Sequence, residues 1–347
     1  MRESSTSNFE KIFYDETLTL NEWFDIWLQE YKMNHIKTSS VQTYQAMYSK
    51  RITNILGNYP LTQIRPFHLQ RLYNNLLENK LSSGYIHCIH SMLHNIFQIA
   101  VYNDLLIKNP CTGVTLPSQY SQKPKVLTLE EQQDLLEFLS QDKWLKYQPI
   151  ITIMLGTGVR VGELLALNWS DIDFAKRTIS INKSLAYLKD ENNHFHFQYT
   201  TPKTPSSCRT IPMSHSVEYQ LEQQKSWLQE QSQEDGWKPM ENFGNLVFPN
   251  KYGHPQQRGA IQRILNRIVS AMNSRNSHSI APMPPLHPHI LRHSFATRCF
   301  EVGIPAKTIQ MLLGHNSIQL TMDIYTHVSE EKKKIDMEKL NRIVDTL

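Results

Sequence analysis

HPHILRHSFATRCFEVGIPAKTIQMLLGHNSIQLTMDIY, residues His287 to Tyr325, is the stretch around which the rest of the chain falls into place. His289 and Arg292 stand three apart at the start of an amphipathic run, so on a helix both project from one face. Leu291, Phe295, Ala296 and Phe300 fall on the opposite, apolar side. Pro305 suits the opening of a following short helix, and Gly314 can take the left-handed conformation that ends one. His315 comes directly after that stop. Tyr325 follows in a further short amphipathic segment carrying Ile318, Leu320, Met322 and Ile324. Three consecutive helical elements thus deliver a basic trio and a phenol.

An isolated tyrosine has a pKa of about 10 and is a poor nucleophile at neutral pH unless cations or a base help remove its proton. Arginines and histidines supply that help. The same groups hold two oxygens of a phosphodiester and stabilise the extra negative charge of a five-coordinate phosphorus. The constellation suggests attack of Tyr325 on phosphate.

The chain of 347 residues is long enough for two domains, and its 40% hydrophobic content can fill real cores. Lys plus Arg less Asp plus Glu is 36 − 32 = +4, which tolerates a polyanionic partner without demanding one. Cys88, Cys111, Cys208 and Cys299 are scattered without paired spacing, so neither a disulfide framework nor a zinc knuckle is expected, and a reducing cytoplasm is the compartment that fits. No apolar run approaches the length of a membrane span, and the first residues lack the apolar core of a signal peptide.

Residues 1–17 read as a polar N-terminal arm. Thr19 and Glu22 make a capping box before a helix whose Trp23, Ile26, Trp27 and Tyr31 form a core stripe rather than a stacking platform for bases. A second helix starts near Ser39 or Ser40, a third follows Pro66, and Ser82 and Ser83 open a longer fourth, so residues 18–116 read as a helical bundle. His87, His90 and His94 recur at helical spacing on that fourth helix; they could bind a metal, but a polar face toward solvent or phosphate is the plainer expectation. Residues 117–125, PSQYSQKPK, form a Pro-bounded linker.

Beyond it, Thr128 and Glu131 make another capping box. An apolar helix over 147–155 is expected to break at Gly156 and Gly158, leaving Arg160 at the start of the next helix as either a surface charge or a pre-organised ligand. After Asp173 the period changes from helical toward two, and RTISINKSL, HFHFQYTT and CRTIPM read as three short strands. Lys203 falls in the turn between the second and third, where it could reach a DNA groove or a leaving oxygen or stay a solvated loop charge. Asp171 and Asp173 lack the larger carboxylate cluster that two-metal chemistry needs. Residues 216–232 read as a polar surface helix. A helix from Gly259 to Met272 puts Arg258, Arg263 and Arg267 on a phosphate-facing side, a flexible loop leads to His287, and a final amphipathic helix follows Tyr325.

Taken together, TGVRVGE, PKT, HPHILRH, LLGH and DIYTH, in that order, resemble the signature of the tyrosine recombinases, the integrase and Xer-type DNA strand-exchange enzymes. Each piece is weak alone, and the ordered set is specific. The resemblance implies a mainly α fold: an all-helical, SAM-like core-binding domain over 18–116, then a mostly helical catalytic domain with a small antiparallel β-sheet over 126–347, the fold of DNA breaking-rejoining enzymes. It places catalytic roles on Arg160, Lys203, His289, Arg292, His315 and the nucleophile Tyr325, with Glu163 in support.

By the same resemblance Tyr325 joins the 3′ side of a cut DNA strand and releases a 5′ hydroxyl. Arg160, Arg292 and His315 hold the phosphate, His289 accepts the phenol proton and Lys203 serves the leaving oxygen. The covalent bond conserves the phosphodiester energy, so no cofactor and no metal are implied. The implied partners are double-stranded DNA and further copies of the chain, in a homotetramer on paired sites exchanging C-terminal helices, with a directionality factor possible and no membrane. Integration or excision of a mobile element is the implied task. The separate N-terminal arm-binding domain of many integrases is expected to be missing. The rivals are a type IB topoisomerase and a DNA-binding protein without turnover; the separate helical domain speaks against the first and the intact six-residue set against the second.

Overall fold

The computed structural model describes residues 17–119, 125–190, 192, 194–202, 205–275, 282–325 and 337–338. The chain divides into two compact units, 1–122 and 123–347. Residues 1–16 of the expected arm over 1–17, most of the final helix, the loop residues 276–281 and residues 120–124 of the linker lie outside the described residues.

In the first unit, α1 (Leu20–Leu28) starts at a reciprocal cap: Thr19 Oγ1 accepts from the Glu22 N–H at 3.3 Å, and Glu22 Oε2 accepts from the Thr19 N–H at 2.9 Å. The helix runs on into a π-helical turn, Gln29–Met33. Then come α2 (Thr38–Arg51), α3 (Pro66–Glu78), with proline in its first turn, and α4 (Ser83–Tyr102), capped by the Ser82 side chain. Trp23 and Trp27 are buried and donate to Ile96 O at 3.0 Å and Asn95 Oδ1 at 3.1 Å, so α1 is fixed on α4 with no indole donor left unpaired. Phe24 stacks on Tyr48 of α2 with ring centroids 3.7 Å apart. These aromatics are core. Two of the three histidines of α4 have separate partners: His87 Nε2 meets Pro117 O at 2.9 Å, and His90 Nδ1 meets the Tyr73 hydroxyl at 3.2 Å. Among the described residues no group of side chains is arranged to hold a metal ion.

In the second unit, α5 (Leu129–Leu139) begins at the Thr128–Glu131 capping box, followed by the short α6 (Asp142–Leu145) and by α7 (Gln148–Thr157). Nearly every residue of α7 is buried, because it packs against helices on several sides. It does not break at Gly156 as expected. That glycine lies within the helix, and a Cβ there would sit 2.5 Å from Val217 Cγ2, so its role is close packing. Gly158, at φ +63°, is the stop. After it comes the single turn α8 (Val161–Leu164).

Among the described residues five strands stand where three were expected, and they form two sheets. β1 (Ile172–Asp173), β2 (Thr178–Ile181) and β5 (Arg209–Pro212) make one antiparallel sheet in the order β1-β2-β5, with Ser180 opposite Thr210. β3 (Ser184–Lys189) and β4 (Phe195–Thr200) form a separate hairpin, with Ser184 opposite Thr200. β4 and β5 therefore belong to different sheets and do not pair with each other; Lys203, expected in the turn between them, lies outside the described residues. Pairing is a non-local property that strand periodicity does not contain.

α9 (His215–Gln231) is polar in sequence yet not a purely surface helix. Its Val217, Gln220, Leu221, Gln224 and Leu228 are buried, and Gln224 donates to Val247 O at 2.9 Å, which makes its burial tolerable. α10 (Arg258–Arg275), α11 (Pro288–Glu301), α12 (Ala306–Leu313) and α13 (Gln319–Tyr325) complete the described unit. The apolar side of α13 also departs from expectation: Thr321 and Ile324 are buried, whereas Ile318, Leu320 and Met322 are exposed. Positions 318, 320, 322 and 324 alternate, and a helix cannot turn alternating positions to one side. Among the described residues no helix is long and apolar enough to cross a membrane.

Candidate functional site

The turn at Gly158 leads through buried Val159 to Arg160, the residue before α8, and the capping arrangement of α8 fixes that arginine. Glu163 Oε2 accepts from the Arg160 N–H at 2.9 Å while Oε1 accepts from Arg160 Nη1 at 2.8 Å. About a third of the Arg160 side chain, 36%, stays open to solvent. Arg292, on the second turn of α11, is 3% exposed and donates from Nη1 to Gly158 O and from Nη2 to Leu313 O, each at 2.6 Å. Burial and the charges of Arg160 and Arg209 draw its pKa down to about 9, which leaves it cationic at neutral pH.

The C-terminal end of α12 organises these groups. The last carbonyls of a helix have no partner within it and carry its negative dipole end. Here Leu312 O accepts from Arg209 Nε at 2.6 Å, Leu313 O from Arg292, and Gly314 O from Arg160 Nη2 at 3.2 Å. Three successive carbonyls thus hold three guanidinium groups. Arg209 also grips Glu163, with Nη2 on Oε2 at 2.9 Å and Nη1 on Oε1 at 3.2 Å. Burial alone would raise the Glu163 pKa; the bonds and charge of Arg209, and after them those of Arg160, outweigh it and hold the carboxyl below its usual range. Three guanidinium charges against one carboxylate leave a net +2, an environment suited to an anion.

His315 follows Gly314, which has φ +63°, and its Nδ1 lies 2.9 Å from the buried Thr321 hydroxyl at the start of α13. Burial first, then Arg292 and Arg160, lower its pKa to about 3, so the ring is neutral at physiological pH. The tautomer in which Thr321 donates to Nδ1 is the one that leaves Nε2–H as a free donor. His289 lies one turn before Arg292, and partial burial with the charges of Arg292, His287, Arg160 and Arg258 lowers its pKa too. Tyr325 is the last residue of α13, which packs on α11 and α12. Its side chain and Lys203 lie outside the described residues.

The structure therefore gathers Arg160, Glu163 and Arg292 at the C-terminal end of α12, with His315 next in the chain and bonded to Thr321, His289 one turn before Arg292, and the backbone of Tyr325 on the helix that carries Thr321. Sequence reading passed over two members. Arg209 sits in CRTIPM, where a strand pattern gives no sign that its side chain crosses to α12, and Thr321 looks like any helical threonine. Asp171 is tied up by an ion pair with Lys183 and accepts from the Asn168 N–H at 2.9 Å, a structural role.

Residues 125–332, more than half of the chain, match the family model described as the phage integrase family, and residues 19–77 match its N-terminal SAM-like domain. The chain belongs to the phage integrase family. It is a tyrosine recombinase, a DNA breaking-and-rejoining enzyme. A tyrosine recombinase XerC-like protein of Caldanaerobacter subterraneus is 28% identical over 94% of this integrase-family chain and 83% of that protein. The transposase from transposon Tn916 of Enterococcus faecalis is 28% identical over 83% of this chain and 69% of that one. In structure the chain shares the fold of the Tn1549 transposon integrase, solved in complex with a circular intermediate DNA, at a TM-score of 0.78 and 23% identity over 93% of this chain and 99% of that one.

Proposed function

We propose that this recombinase cuts and rejoins DNA through a covalent 3′-phosphotyrosyl bond at Tyr325, in the service of integration and excision of a mobile element. The observation that carries the assignment of roles is the cluster at the end of α12: Arg160 and Arg292 anchored on Gly314 O and Leu313 O, with neutral His315 next in the chain. In this reading the two arginines hold the non-bridging oxygens of the scissile phosphate and His315 donates a third bond, all three strengthening as charge grows on phosphorus. The Tyr325 oxygen forms the new P–O bond, the 5′ oxygen leaves with its electron pair, His289 takes the phenol proton and Lys203 gives one to the leaving oxygen. Attack by a 5′ hydroxyl from a second duplex reverses the step and exchanges strands. The relatives include the transposase from transposon Tn916 and the integrase of Staphylococcus phage L54a, which supports the mobile-element task.

The same reading assigns DNA core binding to residues 18–116 and catalysis to 126–347. It places the work in the cytoplasm, in a homotetramer linked by C-terminal helices on paired sites, with a directionality factor acting from outside. The test is a nicked duplex drawn from the DNA flanking the chain's own gene. Wild type is expected to form an adduct that survives SDS, and Tyr325→Phe to bind the same duplex without forming one. An adduct in that variant would assign the nucleophile elsewhere.

A further inference from the structure

Glu163 is filled to capacity. A carboxylate offers about four acceptor sites, and here Oε1 takes Arg160 Nη1 and Arg209 Nη1 while Oε2 takes the Arg160 N–H and Arg209 Nη2. Half of that set comes from Arg209. Its side chain is 5% exposed, and its donor nitrogens are taken up within the protein, Nε by Leu312 O at 2.6 Å and both Nη by Glu163. It also holds Ser207 O at 3.1 Å, which ties the start of β5 to the same knot. Gly314 shows how closely the pieces meet: a Cβ there would lie 3.1 Å from Arg209 Nη1 and 3.2 Å from Ser206 O.

We propose that Arg209 is a positioning residue of the recombination reaction, locking Glu163 to the C-terminal end of α12 so that Arg160, Arg292 and His315 keep one fixed arrangement. It acts through two joints. One is Glu163, which holds Arg160 by both backbone and side chain. The other is Leu312 O, directly before the carbonyls that hold Arg292 and Arg160 and three residues before His315. Only a guanidinium can reach both carboxylate oxygens and a carbonyl at once; a lysine ammonium is a point charge without that planar fork. A displacement of about 1 Å in a phosphate-holding set costs on the order of 10²-fold in rate.

This inference rests on Tyr325 as nucleophile, and its test keeps the two apart. Adduct formation on the nicked duplex is timed at saturating DNA for wild type, Arg209→Gln, Arg209→Lys, Glu163→Gln and Arg209→Gln/Glu163→Gln, with DNA affinity and folded fraction measured alongside. Arg209→Gln is expected to keep wild-type affinity and lose on the order of 10²-fold in the rate per folded molecule, and Arg209→Lys, despite its charge, to recover little of it. The double variant is expected to lose less than the product of the single losses, since the residues act as a unit. A purely structural arginine would lower the folded fraction but leave the rate per folded molecule unchanged, and that result overturns the proposal. Affinity falling in step with rate overturns it too, by making Arg209 a DNA contact; so do losses that multiply. Should Arg209→Gln not fold, the rate and affinity of Arg209→Lys decide. No adduct with wild type would instead overturn the assignment of Tyr325.

Discussion

Partial burial and the charges of Arg292, His287, Arg160 and Arg258 hold His289 below the ordinary histidine pKa. In the proposed role the ring accepts the phenol proton and has to be neutral, so activity is expected above that lowered pKa and lost as pH falls through it. With DNA below saturation, where the profile reports the free protein, the adduct rate is expected to stay level through neutral pH and to decline only below about 6.5. His289→Gln should be slow and lack that decline; the same acid limb in the variant would remove His289 from the role. At this scale the sequence was legible where a residue's neighbours along the chain define its place. Arg160 in its Arg-x-Gly-Glu unit, the His289–Arg292 pair on one helix and His315 after a helix-stopping glycine all stand where local pattern puts them. Arg209 was not legible, because its partners are 46 residues before it and 103 after it.

Gly158 does three things at one element boundary. It ends α7 at φ +63°, offers its carbonyl to Arg292, and leaves room for Phe295 and Leu313, whose Cδ1 and Cδ2 would lie 2.4 and 2.8 Å from an added Cβ. Gly158→Ala combines an unfavourable backbone conformation with two clashes inside a packed core, so it is expected to cost more than ~1 kcal/mol. Urea unfolding measures the loss, and a midpoint equal to that of wild type would show that α7 and α11 separate freely. Elements written by local rules were readable: the capping boxes at Thr19 and Thr128 lie where Ser/Thr-x-x-Glu patterns put them. The division of strands into two sheets was not, and neither was the buried polar side of α9, because partners for β5 and for Gln224 come from distant chain.

Among the described residues each unit has hydrophobic clusters of its own. One runs from Leu18 to Cys111; two others lie between Leu127 and Ile324. Each set carries its own large buried rings, Trp23 and Trp27 in the first and Trp144 and Phe248 in the second. A unit with its own core can fold alone, so fragments 17–119 and 125–347 are each expected to unfold cooperatively, monitored by circular dichroism. A fragment without a cooperative transition would show that its core depends on the other unit. DNA binding tests the same division. Each phosphate neutralised contributes about −0.9 to the slope of log affinity against log salt concentration, so if both units touch the backbone, each fragment should bind with a shallower slope than the intact chain. In the second fragment the exposed Arg263 and Arg267 of α10 are the side chains to remove, each expected to lower that slope by about one. An intact chain no more salt-sensitive than fragment 125–347 would mean that the helical first unit grips DNA without charge, or does not grip it at all.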